Sequence, residues 1–506
     1  MATLKEFRDE RLRKLEELQK LGYNAYPART HRSAMANDIV TQFDTKEGTT
    51  QTVFGRIKSI RKFGKIAFIV VRDFSGTLQL FLQDQKLAAS DPKAGLVGIK
   101  DLNLLDTGDF IEATGTVIKT KTGEVSLELT GLRLMTKSLR PMPLEHESFT
   151  DKEERLRRRY VDMNVNIDVR DRFMRRSKFW QATRDFLISK DFIEISNNVL
   201  ENTAGGADAN PFITHMDALD QDFFLRISHE LPLKRLLVAG FEKVFEIGPR
   251  FRNENYSDEH LPEHNAMEWY WATADWEMGM ELTEEMIRFV ADKTWGTRKF
   301  TLQDGAVLDF GNDGEHFPRI SFVGVLKEQY AIDVFESSME DIQAKLKEEK
   351  LEVEKTDNRI RSLDKLWKKY RKTVTGPAFL IDMPVFMQPL AKVNENDPRL
   401  TEQFNLVFAG SEMCKAFSEL NDPVDQLERF MEQQRMRDAG DDEAQMLDID
   451  FVEALEYGMP PACGLGYSER IFWSLEGVSA REGIPFPQLR REVDETTKSI
   501  YKDISF

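Results

Sequence analysis

Apolar side chains at Leu4, Phe7, Leu12, Leu15, Leu18 and Leu21 recur every three to five residues, which predicts an amphipathic helix over 4–21 closed by Gly22. Its charged face offers Arg8, Arg11, Arg13 and Lys14 to a phosphate backbone, the alternative being a helix that only packs on its own domain. From 52 to 134 the rhythm shortens to β-type runs, TVFGRIK, KIAFIVVR, TLQLFLQ, FIEATGTVI and EVSLELTGLRL, separated by glycine or polar turns. Val125, Leu127 and Leu129 alternate strictly. Five such strands suit a small Greek-key barrel of the OB type. Residues 141–158, with two prolines and then DKEERLRRR, read as a linker into a second domain. Beyond it the pattern predicts a helix over 170–189, strands over 243–247 and 265–272, and a charged helical stretch over 340–372. No apolar run approaches the ~20 residues of a membrane span, so no membrane partner is expected.

The length of 506 residues implies several domains at ~100–200 residues each. The net charge of −17 argues at first against a polyanionic partner. Its distribution changes the picture. Residues 1–150 carry 23 Lys+Arg against 19 Asp+Glu, and residues 151–506 carry 47 against 68, so a basic N-terminal part is joined to an acidic body. Nucleic acid would then meet one end only. Cys414 and Cys463 are the only cysteines, which excludes a disulfide framework and a cysteine-ligated cluster and points to a reducing, cytoplasmic setting. The opening MATLKEFRDE lacks the apolar core of a secretory signal.

Candidate chemistry falls in five places. On the barrel, Phe68 and Gln79 are placed to stack on and hydrogen-bond unpaired bases, unless Phe68 is core. His215, His229, His260 and His264 cluster without metal-binding spacing, so zinc is not expected. The segment VFEIGPRFRNEN–YSDEHLPEHN–AMEWYW reads as strand, loop and returning strand. There Arg252 and Glu254 point to one side, as do Glu268 and Tyr270 on the returning strand, so the pair can project a cation, acids and a phenol into one cleft, and the arginine fork suits a phosphate or carboxylate. GLGYSERIFWSLEGV reads as a glycine-rich turn running into a helix with Arg470 near its start. SEMCKAFSELND reads as an irregular polar turn carrying Glu412 and Glu419, acids able to hold Mg²⁺ or cradle an ammonium group. Each of these has a plain structural alternative: an ion-pair ladder, a tight turn, a solvated acidic loop.

Taken together in this order, the pieces resemble the class II aminoacyl-tRNA synthetases, and most closely the bacterial-type lysyl-tRNA synthetases, over nearly the whole chain. TAGGADANPFITHMDALDQDFFLRISHELPLKRL, FSELNDPVDQLERF and DFVEALEYGMPP carry the resemblance. It implies an α+β multidomain fold. An N-terminal helix and lead-in would occupy 1–50, an OB-fold anticodon-binding domain 51–145, and a class II catalytic domain 146–506 with an antiparallel sheet flanked by helices. It implies ATP-dependent joining of L-lysine to tRNA(Lys) through a lysyl-adenylate, with Mg²⁺ accompanying ATP, in a homodimer. Arg252, Glu254, His260, His264, Glu412 and Arg470 are implied on the ATP side, Arg252 and Arg470 as the catalytic pair. Gly206, Glu230, Glu268, Tyr270, Lys415, Phe417 and Glu419 are implied around lysine, Glu412 with Asn405 at the metal, and Phe68, Gln79 and Glu124 at the anticodon.

The chain departs from the family pattern at Asn198 in place of a proline, at His264 in place of the phenylalanine that stacks on adenine, and at Asn405 in place of a metal-binding glutamate. It also departs at Lys415 in place of an asparagine, and over Gly464–Arg470, one residue shorter than the family's glycine-rich motif and with Ser468 for its third glycine. A histidine at 264 is expected to vary in charge near neutral pH. Two other functions stay open: a lysine-adenylating enzyme with a non-tRNA acceptor, against which the barrel with Phe68 and Gln79 counts, and a catalytically silent RNA-binding protein, which the departures at His264, Asn405 and the shortened Gly464–Arg470 stretch keep open.

Overall fold

The computed structural model describes residues 3–143, 149–254, 256–354, 357–440 and 444–505. The chain forms two compact units, Met1–Asn166 with Gln488–Phe506, and Ile167–Pro487. The expected boundary at 145/146 lies outside the described residues.

In the first unit, helix α1 (Leu4–Lys20) starts at a capping box in which Thr3 and Glu6 satisfy each other's backbone N–H groups. Strands β1 (Thr50–Phe63), β2 (Ile66–Arg72), β3 (Thr77–Gln83), β4 (Phe110–Lys119) and β5 (Val125–Thr136) close a barrel in the order β1-β2-β3-β5-β4. The two-residue period seen in the sequence is the barrel's inside–outside alternation: Ala67, Ile69 and Val71 face inward with Leu78, Leu80, Leu82, Leu127 and Leu129. Leu18 of α1 joins this core. The cations expected to meet phosphate are largely engaged within the unit. Arg11 is buried, donating to the carbonyls of Thr107, Ser138 and Arg140, while Arg13 pairs with Glu10 and Glu17, and Lys14 with Asp106. The stretch read as a linker ends in a short helix, Lys152–Arg157, and a second, Arg159–Val165, follows directly.

The second unit is built on an eight-stranded sheet. Its strands are β6 (Ile193–Glu194), β7 (Lys243–Phe251), β8 (Glu263–Ala272), β9 (Arg319–Ser321), β10 (Ala378–Ile381), β11 (Gln403–Phe408), β12 (Ser411–Ser418) and β13 (Ala462–Ser468), ordered β9-β10-β11-β12-β13-β8-β7-β6. The body is antiparallel, with parallel pairs only at the two edges. Met267, Trp269, Phe404, Ala416 and Leu465 on one face pack with helices α2 (Ile167–Ser189) and α4 (Trp276–Trp295). Complete burial of such aromatic and aliphatic side chains stabilises by about 1.5–3 kcal/mol each. The opposite face holds α3 (Glu230–Val238), packed on Tyr270 and Val244, and opens into a cavity. The charged 340–372 stretch resolves into two helices, α5 (Met339–Glu348) and α6 (Arg359–Arg371), around the buried Trp367.

Two segments differ from their expected form. GLGYS is the central strand β13 and not a glycine-rich turn, and SEMCKAFS is the neighbouring strand β12 and not an irregular turn. Arg252 and Glu254 lie beyond the end of β7, so the strand side chain facing the cavity is Arg250, paired in register with His264.

Candidate active site

Register decides what faces the cavity. Glu268 and Tyr270 on β8 stand beside Gly466 and Gly464 of β13, and these stand beside Lys415 and Phe417 of β12. Glycine in mid-strand is normally a defect, yet here it makes the floor. A Cβ on Gly464 would overlap the Tyr270 ring and Glu419 Oε1. Gly206 closes the other wall at φ +83°, where a Cβ would lie 2.8 Å from that of Glu230. The resulting cavity of about 350 Å³ is lined by every residue expected on the ATP and lysine sides; Asn405 lines an adjoining cavity of about 330 Å³ that shares Glu412 and Lys415.

One end of the cavity is acidic and dry. Glu230 heads α3, and Glu419 follows β12; both are buried, as is Lys234 one turn along α3. Lys234 Nζ lies 2.8 Å from Glu230 Oε1, pairs also with Glu419 Oε2, and sits over the Phe417 ring at 5.5 Å. Burial works against the ammonium, but the two carboxylates outweigh it and raise its pKa. Burial likewise pushes Glu230 up and Glu419 well up, against the pull of Lys234. With both carboxylates ionised, two carboxylates and one ammonium leave this end a single negative charge in surplus. Neither Glu419 oxygen accepts a well-aligned hydrogen bond.

Glu268 behaves differently. Burial alone would raise it, but the His229 ring, with Nδ1 3.6 Å away, Arg250 Nη1 at 3.5 Å and Ser228 Oγ at 2.7 Å together hold it at about 2; the His229 backbone N–H also donates to it at 3.1 Å. The Tyr270 hydroxyl donates to its other oxygen at 3.2 Å. Glu268 is therefore a permanent anion at the middle of the cavity.

The other end is cationic. Arg252 is set by its backbone N–H on Pro262 O at 2.8 Å. Arg470, at the start of the short helix α7 (Arg470–Leu475), donates from Nη2 to His260 Nε2 at 2.9 Å and from Nη1 to the Glu412 carbonyl at 3.3 Å. Burial first and Arg470 next lower the His260 pKa, so the ring accepts from Arg470 through Nε2, its Nδ1 being 2.9 Å from Ser257 Oγ. His264 is also held neutral, contrary to the charge variation expected from its type. Burial and the guanidiniums of Arg250 and Arg252 put its pKa well below the usual value; Nε2 accepts from Arg250 Nε at 3.0 Å and Nδ1 faces Leu261 O at 3.2 Å. Glu254 lies in the exposed loop beyond β7, and Lys415 is exposed at the cavity's mouth.

Glu412 with Asn405 was the expected metal pair, and the donor set does not fit a metal. Glu412 Oε1 accepts from Trp367 Nε1 at 2.6 Å and Arg371 Nη1 at 3.2 Å, and Oε2 accepts from Asn405 Nδ2 at 2.8 Å. Asn405 Oδ1 is turned away, accepting from Gln403 Nε2 at 3.1 Å. A hard cation needs oxygen ligands where these N–H groups stand. Among the described residues no three His, Cys, Asp or Glu side chains come together as a metal site. Sequence reasoning missed Lys234, Arg250 and Arg371, whose partners are distant in the chain; only the basic residue one helical turn after Glu230 was a local signal.

On the barrel, Phe68 stands on the outer face of β2, not in the core, stacked on Phe81 at 5.0 Å with Phe63, 64% exposed, at its edge. Gln79 lies on the same face and donates to Ser126 Oγ at 2.9 Å; Glu124 is exposed in the turn before β5. No helix among the described residues is long and apolar enough to cross a membrane.

A closed five-stranded barrel, and an antiparallel sheet whose glycine-floored cavity carries arginines at one end and carboxylates at the other, define a class that comparison makes explicit. Residues 51–135 match the OB-fold nucleic acid binding domain, and residues 151–490 match the tRNA synthetases class II (D, K and N), the family to which this chain belongs. The chain is 43% identical over 97% of its length to a lysine–tRNA ligase of Fervidobacterium nodosum, covering 95% of that protein. Lysine–tRNA ligases of Thermotoga maritima (41%, 96% of each chain) and Clostridium perfringens (42%, 95% of each) are similar to the same extent.

Proposed function

We propose that this chain activates L-lysine with ATP and transfers it to tRNA(Lys). The observation that carries the reading is the buried Glu230–Glu419 pair, which holds one surplus negative charge beside the aliphatic-lining ring of Phe417. Such an end accepts a long apolar stem tipped by a cation and rejects acidic or amide side chains. Glu268, a fixed anion, receives the substrate's α-amino group beside Gly206, and Lys415 at the mouth meets its carboxylate.

Arg252 and Arg470, with His260 on Arg470, hold the phosphates of ATP, and the neutral His264 ring backed by Arg250 faces the base. An oxygen of the lysine carboxylate attacks the α-phosphorus and pyrophosphate leaves. The terminal tRNA hydroxyl then attacks the carbonyl carbon, its proton is lost to water, and AMP leaves. No protein nucleophile is required: the Cys414 thiol in the cavity wall is pushed up to about 12 by burial. Catalysis is thus positioning and charge stabilisation. Magnesium comes as part of the ATP substrate.

The outer face of the barrel reads the anticodon. Phe68 stacks on a base, and Gln79 and Glu124 bond base edges, which favours a tRNA acceptor over a small-molecule one. A cytoplasmic homodimer belongs to the same proposal, and sedimentation tests the dimer. Lysine-dependent exchange of pyrophosphate into ATP tests the first step and charging of tRNA(Lys) the second; absence of exchange with lysine refutes the proposal.

A further inference from the structure

The charge at the Glu412 edge of the cavity is supplied by the protein itself. We infer that Arg371, and not a carboxylate-bound magnesium, is the cation at this edge, and that Glu412 is a positioning residue for two arginines of the ATP site. The inference rests on reading the cavity as the ATP site.

Glu412 joins those two arginines through two different groups. Its carboxylate accepts from Arg371, while its backbone carbonyl accepts from Arg470. Trp367 and Asn405 fill the rest of the carboxylate and fix its plane. Arg371 is carried by α6, the second helix of the charged stretch, so a segment with no evident chemistry in the sequence delivers a guanidinium to Glu412 of the cavity wall. A metal ligand would be the wrong use of this residue twice over, since both oxygens are taken by N–H donors and a divalent ion would sit beside a fixed positive charge.

What the donors do suit is an anion. Arg252, Arg371 and Arg470 each keep a buried Nε–H with no acceptor. Arg252 and Arg470 line the cavity, and a guanidinium fork there suits a phosphate oxygen and no metal. The two neighbours are also close enough to be felt: both Arg371 and Arg252 depress the pKa of Arg470. A triphosphate would therefore meet Arg252 and Arg470 on the cavity wall, with Arg371 behind Glu412 adding its charge, and with only the magnesium it carries in.

The test counts metal on the whole enzyme. With α,β-methylene-ATP bound, Mn²⁺ titration followed by electron paramagnetic resonance is expected to give one Mn²⁺ per nucleotide, the same in Glu412→Gln. An additional Mn²⁺ that disappears in Glu412→Gln overturns the inference. Arg371→Met is expected to raise the ATP KM in pyrophosphate exchange at least tenfold while the lysine KM stays within twofold, with Arg371→Lys recovering part. An unchanged ATP KM in a folded Arg371→Met enzyme also overturns it, and the Mn²⁺ count on the unaltered enzyme decides the matter if that variant does not fold. A protein that binds no nucleotide overturns this inference and the proposed function together; with nucleotide bound, failure falls on Arg371 alone.

Discussion

Replacing Glu419 by glutamine changes one oxygen to an NH₂ group at a site 1% exposed, and so isolates charge from shape. In the unaltered protein Glu230, Glu419 and Lys234 sum to one surplus negative charge, which the ammonium of the substrate cancels. In Glu419→Gln the sum is zero before lysine arrives. Lys234 keeps Glu230 at 2.8 Å, so the fold retains its buried pair and the loss falls on substrate binding. A charge-assisted hydrogen bond is worth about 1.5–3 kcal/mol. At 1.4 kcal/mol per tenfold, the lysine KM rises about 10- to 150-fold. The adenylation chemistry lies at the arginine end, so kcat should fall by less than the KM rises. The assay is lysine-dependent ATP–pyrophosphate exchange at pH 8 with lysine varied. The pH dependence gives a second reading of the same charge. Both carboxylates have raised pKa values, so lowering the pH puts a proton on the pair and the unaltered enzyme's lysine KM rises. In the glutamine variant Glu230 is matched one to one by Lys234, and that rise flattens. A lysine KM within twofold of the unaltered enzyme removes Glu419 from the site and refutes the reasoning.

Three further outcomes are expected. Gly464→Ala forces a methyl group onto Tyr270 and Glu419, an overpacking that costs about 1–3 kcal/mol, and should lower the melting temperature and abolish lysine activation together; retained activation places the lysine site elsewhere. Burial lifts Glu201 to about 8, against 4.5 for the free side chain, so the folded state holds a proton that the unfolded chain releases, and stability is lost as pH rises from about 4.5 through 8. The melting temperature should accordingly fall less steeply between pH 6 and 9 in Glu201→Gln than in the unaltered protein, and parallel curves exclude the assignment. Phe68→Ala removes a stacking platform worth about 1–3 kcal/mol per base and should raise the tRNA KM in charging about tenfold; an unchanged value leaves the Phe81 face without that role.

Periodicity carries its own geometry. The alternation of Val125, Leu127 and Leu129 could only be the two faces of a strand, and the leucines of 4–21 only one face of a helix, so the barrel and α1 were legible residue by residue. The residues that line the cavity were legible as a set because their order along the chain resembles a family. Their local conformation was not. GLGYS and SEMCKAFS look like turns because glycine and polar residues favour turns in isolation. They are adjacent central strands whose register sets Gly464 and Gly466 against Tyr270 and Glu268, where the cavity leaves no room for side chains on β13, and sets Lys415 and Phe417 of β12 beside them.

The sequence by itself determined the elements and the inventory of charges; the tertiary structure decided how those charges are paired. Lys234 meets Glu419 across 185 positions of sequence number, Arg371 meets Glu412, and Arg250 meets His264 only because strand register and helix packing bring them together. Whether a carboxylate binds a metal, a substrate ammonium or a neighbouring guanidinium depends on what stands within about 3 Å of its oxygens. No local pattern in a chain encodes that distance, because it is set by the packing of segments that the chain's own order keeps apart.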